Sequence, residues 1–377
     1  MKKASVLFAL VAAAVLSAYA AAIKTFDVRV GSYNIRCIAN IDTGDKAWSS
    51  RKDSLLSLVK GISFDIVGFQ EAKESQKTYL ASNLTGYTFF DGTISGTSEY
   101  LPIAYKSSRF ERMDGGTFWL SDTPNSQSQS KFSDSDYARI CTWVLLRDKT
   151  TQGRVIFANA HLDLKTPARP KQMRVIMNFL KPYIAVGVQP VVVGDMNCNE
   201  RESTIIEATG TLRDAAIAAD AVFGPWRTYN GWTYVDPATE PKMEYALTLS
   251  VSGRNPLSDG HRIDFVLVPE SAQVNSYVVR NDTQPNKEVY LSDHYLVYAD
   301  LTLHVRNLVP KGRFTVEVTA ECPSVASGRR FVLTSGAGLT SIEDIDFNLP
   351  KWVKCAAVED GEIVIYTKPI GLALHIR

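Results

Sequence analysis

The 377-residue sequence carries almost no net charge: 41 lysines and arginines stand against 40 aspartates and glutamates, a formal +1. That balance excludes a global electrostatic attraction to nucleic acid or to an anionic membrane, although a local basic groove would leave no mark on the total. Cysteine is scarce and odd in number: Cys37, Cys141, Cys198, Cys322 and Cys355. At least one is therefore unpaired within the chain, and no spacing among them resembles a zinc site. Low-complexity tracts and internal repeats are absent. Beyond the N-terminus no apolar run approaches the roughly 20 residues that a membrane span requires. What is left is ordinary: 45% hydrophobic and 21% charged residues suit a folded globular protein with room for one large domain and a small one.

The N-terminus reads as an address. Lys2 and Lys3 precede an apolar run at 4–16 and a small-residue stretch at 17–22 containing Ala18-Tyr19-Ala20. A positive start, a short apolar core and an A-x-A pattern describe a secretory signal peptide over residues 1–20, too short for a membrane anchor. The mature chain is then expected to begin near Ala21 and to be a monomer outside the cytosol, secreted or in an endolysosomal compartment, with no stable membrane insertion. Asn83-Leu84-Thr85 and Asn281-Asp282-Thr283 are glycosylation acceptor triplets if the cell is eukaryotic. Disulfides are permitted in that compartment. Cys322 with Cys355 is the favoured pair, a bridge between Cys37 and Cys198 stays open, and the alternative is that all five are small buried side chains.

The coarse pattern is mixed α/β. Strands are expected at 27–34, 64–69, 101–105, 140–146, 155–160, 190–193, 263–268 and 295–305, and helices at 48–62, 73–84 and 170–186. Residues 154–194 form a strand–helix–strand unit consistent with parallel pairing. A linker is expected at 308–312. It would separate a main domain at 24–306 from a small β-rich module at 313–377, where Phe314 to Val318 and Ile363 to Tyr366 alternate in the strand manner.

Polar groups stand just outside these apolar runs. Asn34 closes the first strand, Gln70-Glu71 the second, His161 another and Asp195-Met196-Asn197 the next. Asp264 opens a strand, and Asp293-His294 precedes the last. Strand ends are where sheet proteins assemble sites. Each piece has a bland reading alone: a solvated Glu, an Asp-x-Asn turn, an Asp helix cap, a surface histidine. The ordered set is a stronger signal.

The order SYNIR, GFQE, NAHLD, GDMN, RID and SDH resembles the endonuclease/exonuclease/phosphatase superfamily, over about 27–305. Trp48, Arg51, the segment 118–124 and Ala168-Arg169 with Gln172 are similar to a secreted subgroup of it. The resemblance implies a four-layered α/β sandwich, two packed mixed β-sheets flanked by helices, with the C-terminal β module outside it. It also implies roles. Asn34, Glu71 and Asp293 would hold Mg²⁺ or Mn²⁺, hard cations suited to oxygen ligands. Asp195 would orient or deprotonate the attacking water, Asn197, His161 and His294 would contact the phosphate, and Asp264 would pair with a histidine. Asp163 and Arg169 are second choices as helpers.

These motifs fit phosphomonoesters and diesters alike. The leading expectation is a secreted, metal-dependent nuclease or phosphodiesterase, similar in layout to the exonuclease branch, with nucleic acid as a candidate substrate. A phosphatase acting on a small or lipid-linked phosphate, inositol-phosphate or sphingomyelin-like, is the alternative, and a non-catalytic binder retaining the fold the third reading. A nuclease needs basic and aromatic side chains along a groove; the candidates are Arg109, Arg112, Lys165, Arg169, Lys171, Arg174, Trp226, Arg227 and Trp232. A lipid enzyme would use an exposed apolar hairpin, for which Phe223 to Trp226 is the candidate.

Overall fold

A computed structural model of the chain describes residues 24–97, 99–126, 130–242 and 262–305, together with the backbone of six strands between 314 and 376. The expected signal peptide and the linker at 308–312 lie outside the described residues.

Two large sheets carry the fold. The first orders its strands as β10 (Val222–Phe223), β12 (Gln273–Arg280), β13 (Leu296–His304), β1 (Thr25–Asn34), β2 (Ile66–Gln70), β4 (Ile103–Lys106) and β3 (Tyr87–Phe90). The second runs β5 (Phe110–Trp119), β6 (Ile140–Asp148), β7 (Arg154–His161), β8 (Gln189–Asp195), β11 (Asp264–Pro269) and β9 (Leu212–Asp214). Both are mixed. β1 and β2 are parallel, as are β7 and β8, while β13 lies antiparallel to β1 and β11 antiparallel to β8.

The apolar runs explain the layering. β2, β7 and β8 are buried along their whole lengths, the signature of strands covered on both faces. Successive side chains point to opposite faces. Val155 and Phe157 of β7 therefore meet Val28, Val30 and Ile66 of the first sheet in the central core. Ile156 and Ala158, one residue out of phase, pack with Met173, Ile176 and Leu180 of the helix α3 (Ala168–Ala185). On the far side of the first sheet, Val67 and Phe69 pack with Leu55, Leu56, Val59 and Ile62 of α1 (Trp48–Ile62) and with Leu80 of α2 (Glu74–Asn83). α1 has no side-chain N-cap. A cap contributes about 1 kcal/mol, whereas each fully buried Leu, Val or Ile contributes about 1.5–3 kcal/mol, so docking rather than capping holds α1. The order helix, sheet, sheet, helix is the four-layered α/β sandwich that the resemblance implied.

Some elements differ from expectation. The second strand occupies 66–70 rather than 64–69, with Phe64 turned into the outer core. β3, β5 and β12 were not anticipated. β5 carries two adjacent glycines and three charged residues in ten, and β12 holds Gln273, Asn275, Ser276 and Arg280 among its eight residues, so neither shows a strong apolar signal. Cys37, Cys141 and Cys198 are free thiols, so the bridge between Cys37 and Cys198 does not form. The side chains of Cys322 and Cys355 lie outside the described residues. Beyond the main sheets, β14 (Phe314–Thr319) pairs with β16 (Ile345–Asn348) and β19 (Ala373–Ile376), and β18 (Glu362–Thr367) pairs with β15 (Arg330–Ser335) and β17 (Val353–Glu359).

One polar tie crosses the central core. The Gln70 amide donates to Asn159 Oδ1 at 2.7 Å, and the Asn159 amide donates to the Phe69 and Pro102 carbonyls at 2.9 and 3.3 Å. Asn159 fits only because residue 68 has no side chain: a Cβ there would sit 2.7 Å from Asn159 Cγ. Gly68→Ala is expected to lower unfolding stability by about 1–3 kcal/mol, the usual cost of overpacking. Urea unfolding of the variant against wild type measures this, and equal midpoints would remove the tie from the fold's supports.

Candidate active site

Each sheet contributes one edge of the same cleft. Asn34 ends β1 and Glu71 follows β2, with Asp293 and His294 in the turn before β13. From the second sheet, His161 ends β7, Asp195 ends β8 and Asp264 starts β11. The carboxyl ends of two parallel pairs therefore face each other, and the antiparallel neighbour of each pair begins there. All eight expected site residues come together.

Asp195 Oδ2 is the centre of the group. It accepts from the Asn34 amide nitrogen at 3.0 Å, and Nε2 of His161 and of His294 stand 3.6 and 3.5 Å away. The Asn34 nitrogen also reaches Glu71 Oε1 at 3.2 Å, while the Asn34 oxygen accepts the Arg36 backbone N–H at 3.0 Å. A backbone donor can meet only the amide oxygen, so Asn34 presents its NH₂ to the cleft. This differs from the expected amide-oxygen ligand. Glu71 Oε2 accepts the Cys37 N–H at 3.0 Å. Asp195 Oδ1 accepts the Asn197 N–H at 2.9 Å, and the Asn197 amide nitrogen donates to the Leu162 carbonyl.

Each histidine is held from behind by a carboxylate. His294 Nδ1 lies 2.9 Å from Asp264 Oδ2, and His161 Nδ1 lies 3.0 Å from Glu99 Oε2. Burial alone would favour neutral imidazoles; the Asp264 and Asp195 charges overcome it and hold His294 above its ordinary value. For His161, burial and the nearby Arg139 act downward, and Glu99 with Asp195 reverses them to a net rise. Burial acts upward on Glu71, yet His161, the Cys37 N–H, His294 and Asn34 bring its carboxyl down to about 2. Burial raises Asp293.

The second-choice residues have structural partners. Asp163 accepts the backbone N–H groups of Asp136, Tyr137 and Lys165, tying the loop after β7 to the segment before β6. Arg169 binds the Leu164 carbonyl, the Thr166 hydroxyl and Glu202. Among the described residues, most of the candidate groove cations have carboxylate partners. Arg109 pairs with Asp65 and Asp148 and reaches the Asp27 carbonyl at the opposite end of β1. Lys165, Lys171, Arg174 and Arg227 pair with Asp136, Asp134, Glu207 and Glu240. Trp226 is buried, and Arg112 lies over the Phe90 ring. Only Phe223 of the apolar hairpin is well exposed, so no lipid-reaching surface forms there.

The sequence matches the Endonuclease/Exonuclease/phosphatase family over residues 31–294. An uncharacterized protein of Acanthamoeba polyphaga mimivirus is 23% identical over 162 residues, covering 41% of this chain and 60% of that relative's length. Among solved structures, an endonuclease/exonuclease/phosphatase of Bacteroides vulgatus aligns at 29% identity and a TM-score of 0.62, covering 74% of this chain and 100% of that one. A mannosyl-6-phosphatase of Bacteroides thetaiotaomicron aligns at 26% identity and a TM-score of 0.61, covering 73% and 99%.

Sequence reasoning missed Glu99 and its partner Arg139, whose guanidinium lies 2.6 Å from Glu99 Oε1 and 3.0 Å from His161 Nδ1. Glu99 lies outside any strand or helix, so only its spatial neighbours reveal it. Replacing Glu99 by glutamine removes the anion that keeps His161 charged. The His161 pKa in Glu99→Gln is expected to fall by about 1 unit or more. NMR titration of the His161 ring proton reads this directly, and an unmoved pKa would detach Glu99 from the role.

Proposed function

The chain belongs to the endonuclease/exonuclease/phosphatase family, and from that premise we propose that it is a secreted, divalent-cation-dependent phosphoester hydrolase acting on a small, polar phosphomonoester. The observation that carries the hydrolase reading is the convergence of both histidine Nε2 atoms and the Asn34 amide on Asp195 Oδ2, at 3.6, 3.5 and 3.0 Å. The two imidazole separations exceed an ordinary hydrogen bond, so both Nε2 atoms stay available to an oxygen of substrate or water.

The donor set suits Mg²⁺ or Mn²⁺. Glu71 and Asp293 supply carboxylate oxygens, and Glu71 stays ionised across the ordinary pH range. No thiolate competes, since burial pushes the Cys37 thiol up to about 11. Asp195, Asp264 and His294 also present ligand atoms within 4.8 Å of one another. A histidine already held at Nδ1 by Asp264, and kept protonated, is a poor ligand there. Glu71 and Asp293 are therefore the assigned holders. A cation bound at them supplies charge neutralisation and stabilises the leaving oxygen.

The remaining steps belong to the chain itself. Asp195 holds the attacking water in line and accepts its proton. His161 and His294 donate from Nε2 to the phosphate oxygens, where negative charge builds in the transition state. The Asn34 NH₂ adds a third donor, and Asn197 a contact on the Asp195 side. Glu99 and Asp264 keep the imidazoles oriented and charged.

Two observations support a small substrate over a polynucleotide. Most of the candidate groove cations are paired with carboxylates, and Arg109 lies at the end of β1 opposite the cleft. A family member aligned over 99% of its length is a mannosyl-6-phosphatase. The Tyr229 ring, 5.0 Å from the His294 ring, offers a flat face beside the reacting phosphate. Export is supported by the positive, apolar and small-residue order of residues 1–22.

Purified protein assayed on sugar phosphates, inositol phosphates, sphingomyelin and single-stranded oligonucleotides tests the reading. Sugar phosphates are expected to give the highest kcat/KM, and faster cleavage of oligonucleotides would overturn the substrate assignment. Chelation by EDTA is expected to abolish turnover and added Mg²⁺ to restore it. Asp195→Asn and His294→Ala are each expected to lower kcat by about 10²–10⁴-fold while circular dichroism stays unchanged. Turnover near wild type in either variant would sink the role given to that residue.

A further inference from the structure

Arg51 is a fully buried arginine that has no carboxylate in hydrogen-bond contact among the described residues. Each hydrogen bond it makes to those residues goes to a backbone carbonyl. Nη1 donates to Ile35 at 2.6 Å and Leu291 at 3.1 Å, Nη2 to Arg36 at 2.7 Å, and Nε to Lys46 at 3.1 Å. Burying a cation is costly unless its donors are matched, and here the matching acceptors are three chain segments. Two of them carry the candidate site: Ile35 and Arg36 directly follow Asn34, and Leu291 lies two residues before Asp293. The guanidinium also lies over the Trp48 and Trp232 rings, at 5.1 and 5.6 Å from their centroids. Trp232 belongs to the loop whose Asn230 and Gly231 N–H groups donate to the Asp293 carbonyl.

We propose that Arg51 is a positioning residue: it fixes the separation of the Asn34 segment from the Asp293–His294 turn, and with it the width of the cation and phosphate site. Arg51 reaches Ile35 across 16 residues of sequence and Leu291 across 240. Apart from Arg51, the Ser292 hydroxyl donates to the Asn34 carbonyl at 2.7 Å, the Asn34 amide nitrogen lies 3.4 Å from His294 Nε2 and the Arg36 guanidinium lies 3.5 Å from Asp293. Each of these is a single-point contact that can hinge; the planar fork of Arg51, bonding to the backbone of both segments, sets their angle as well. A lysine would reach fewer carbonyls and cannot reproduce the fork. Displacing a catalytic group by about 1 Å can cost about 10²-fold in rate, so a loosened clamp acts on turnover more than on ground-state binding.

The proposal rests on the hydrolase reading, and its test has a part that does not. Arg51→Met and Arg51→Lys are compared with Leu180→Ala, a core truncation in α3 outside the site, which controls for lost stability. In the Arg51 variants, amide hydrogen exchange at residues 35–37 and 292–295 is expected to rise by about tenfold or more beyond the control. Their kcat is expected to fall by about tenfold or more, with KM within about twofold of wild type and a higher Mg²⁺ concentration needed for half activity. Arg51→Lys, retaining charge and part of the bonding, covers the case in which Arg51→Met does not fold. Exchange and turnover matching Leu180→Ala would overturn the proposal. Wild type inactive on every phosphoester would defeat the hydrolase reading instead, and the exchange result would still decide whether Arg51 holds the two segments.

Discussion

The structure is organised around an excess of carboxylates in one cleft. Asp195, Asp264 and Asp293 are buried, and Glu71 is partly buried beside them. Desolvated carboxylates either protonate or find compensation. Part of that compensation is visible: His294 lies between Asp264 and Asp195, His161 between Glu99 and Asp195, and Arg36 within 3.5 Å of Asp293. The imidazoles are kept charged by the same carboxylates they neutralise. Glu71 and Asp293 face each other across the remaining repulsion, which lifts Asp293 further and suits a divalent cation.

The sandwich is what allows this convergence. Neither sheet alone supplies the full set: the second brings His161, Asp195 and Asp264, and the first brings Asn34, Glu71, Asp293 and His294. Two stacked sheets, each with a parallel pair opening at the same end, point their strand termini across a shared gap. The Gln70–Asn159 tie lies between β2 and β7, one residue behind Glu71 and two behind His161. It couples the spacing of the sheets to the spacing of the site. Gly68 belongs to the same device, since its missing side chain lets Asn159 approach.

The central strands were legible in the sequence by their apolar runs, and the eight candidate residues by the order of the motifs in which they stand. A strand buried on both faces must be apolar throughout, so a polar residue at its end stands out, as at Asp195 after Pro190-Val191-Val192-Val193. Edge strands such as β3 and β5 carry no such contrast. The supports were illegible for a different reason. Glu99 acts on His161 across 62 residues and Arg51 on Leu291 across 240, and neither contact leaves a local pattern. The ion pairs of the candidate groove residues were illegible for the converse reason: a lysine or arginine shows its charge in the sequence, but its carboxylate partner only in space. The orientation of the Asn34 amide likewise depended on the Arg36 N–H behind it.

Backbone strain marks the same cleft. Arg36, Glu71 and Asn197 have φ of 54°, 61° and 49°, the left-handed region that costs side-chain-bearing residues about 1–3 kcal/mol. Asparagine tolerates it; glutamate and arginine do so less readily. Each of these residues lies just past a strand end, where the turn carries the chain away while its side chain or its N–H returns over the cleft. The returning groups supply the offset: Glu71 accepts the Cys37 N–H, and the N–H groups of Asn197 and Arg36 donate to the Asp195 and Asn34 side chains. Glycine at 71 would relieve the strain and remove the carboxylate that uses it. The left-handed turn is what aims Glu71 at Asn34 and Cys37, so the strain and the site geometry are one feature.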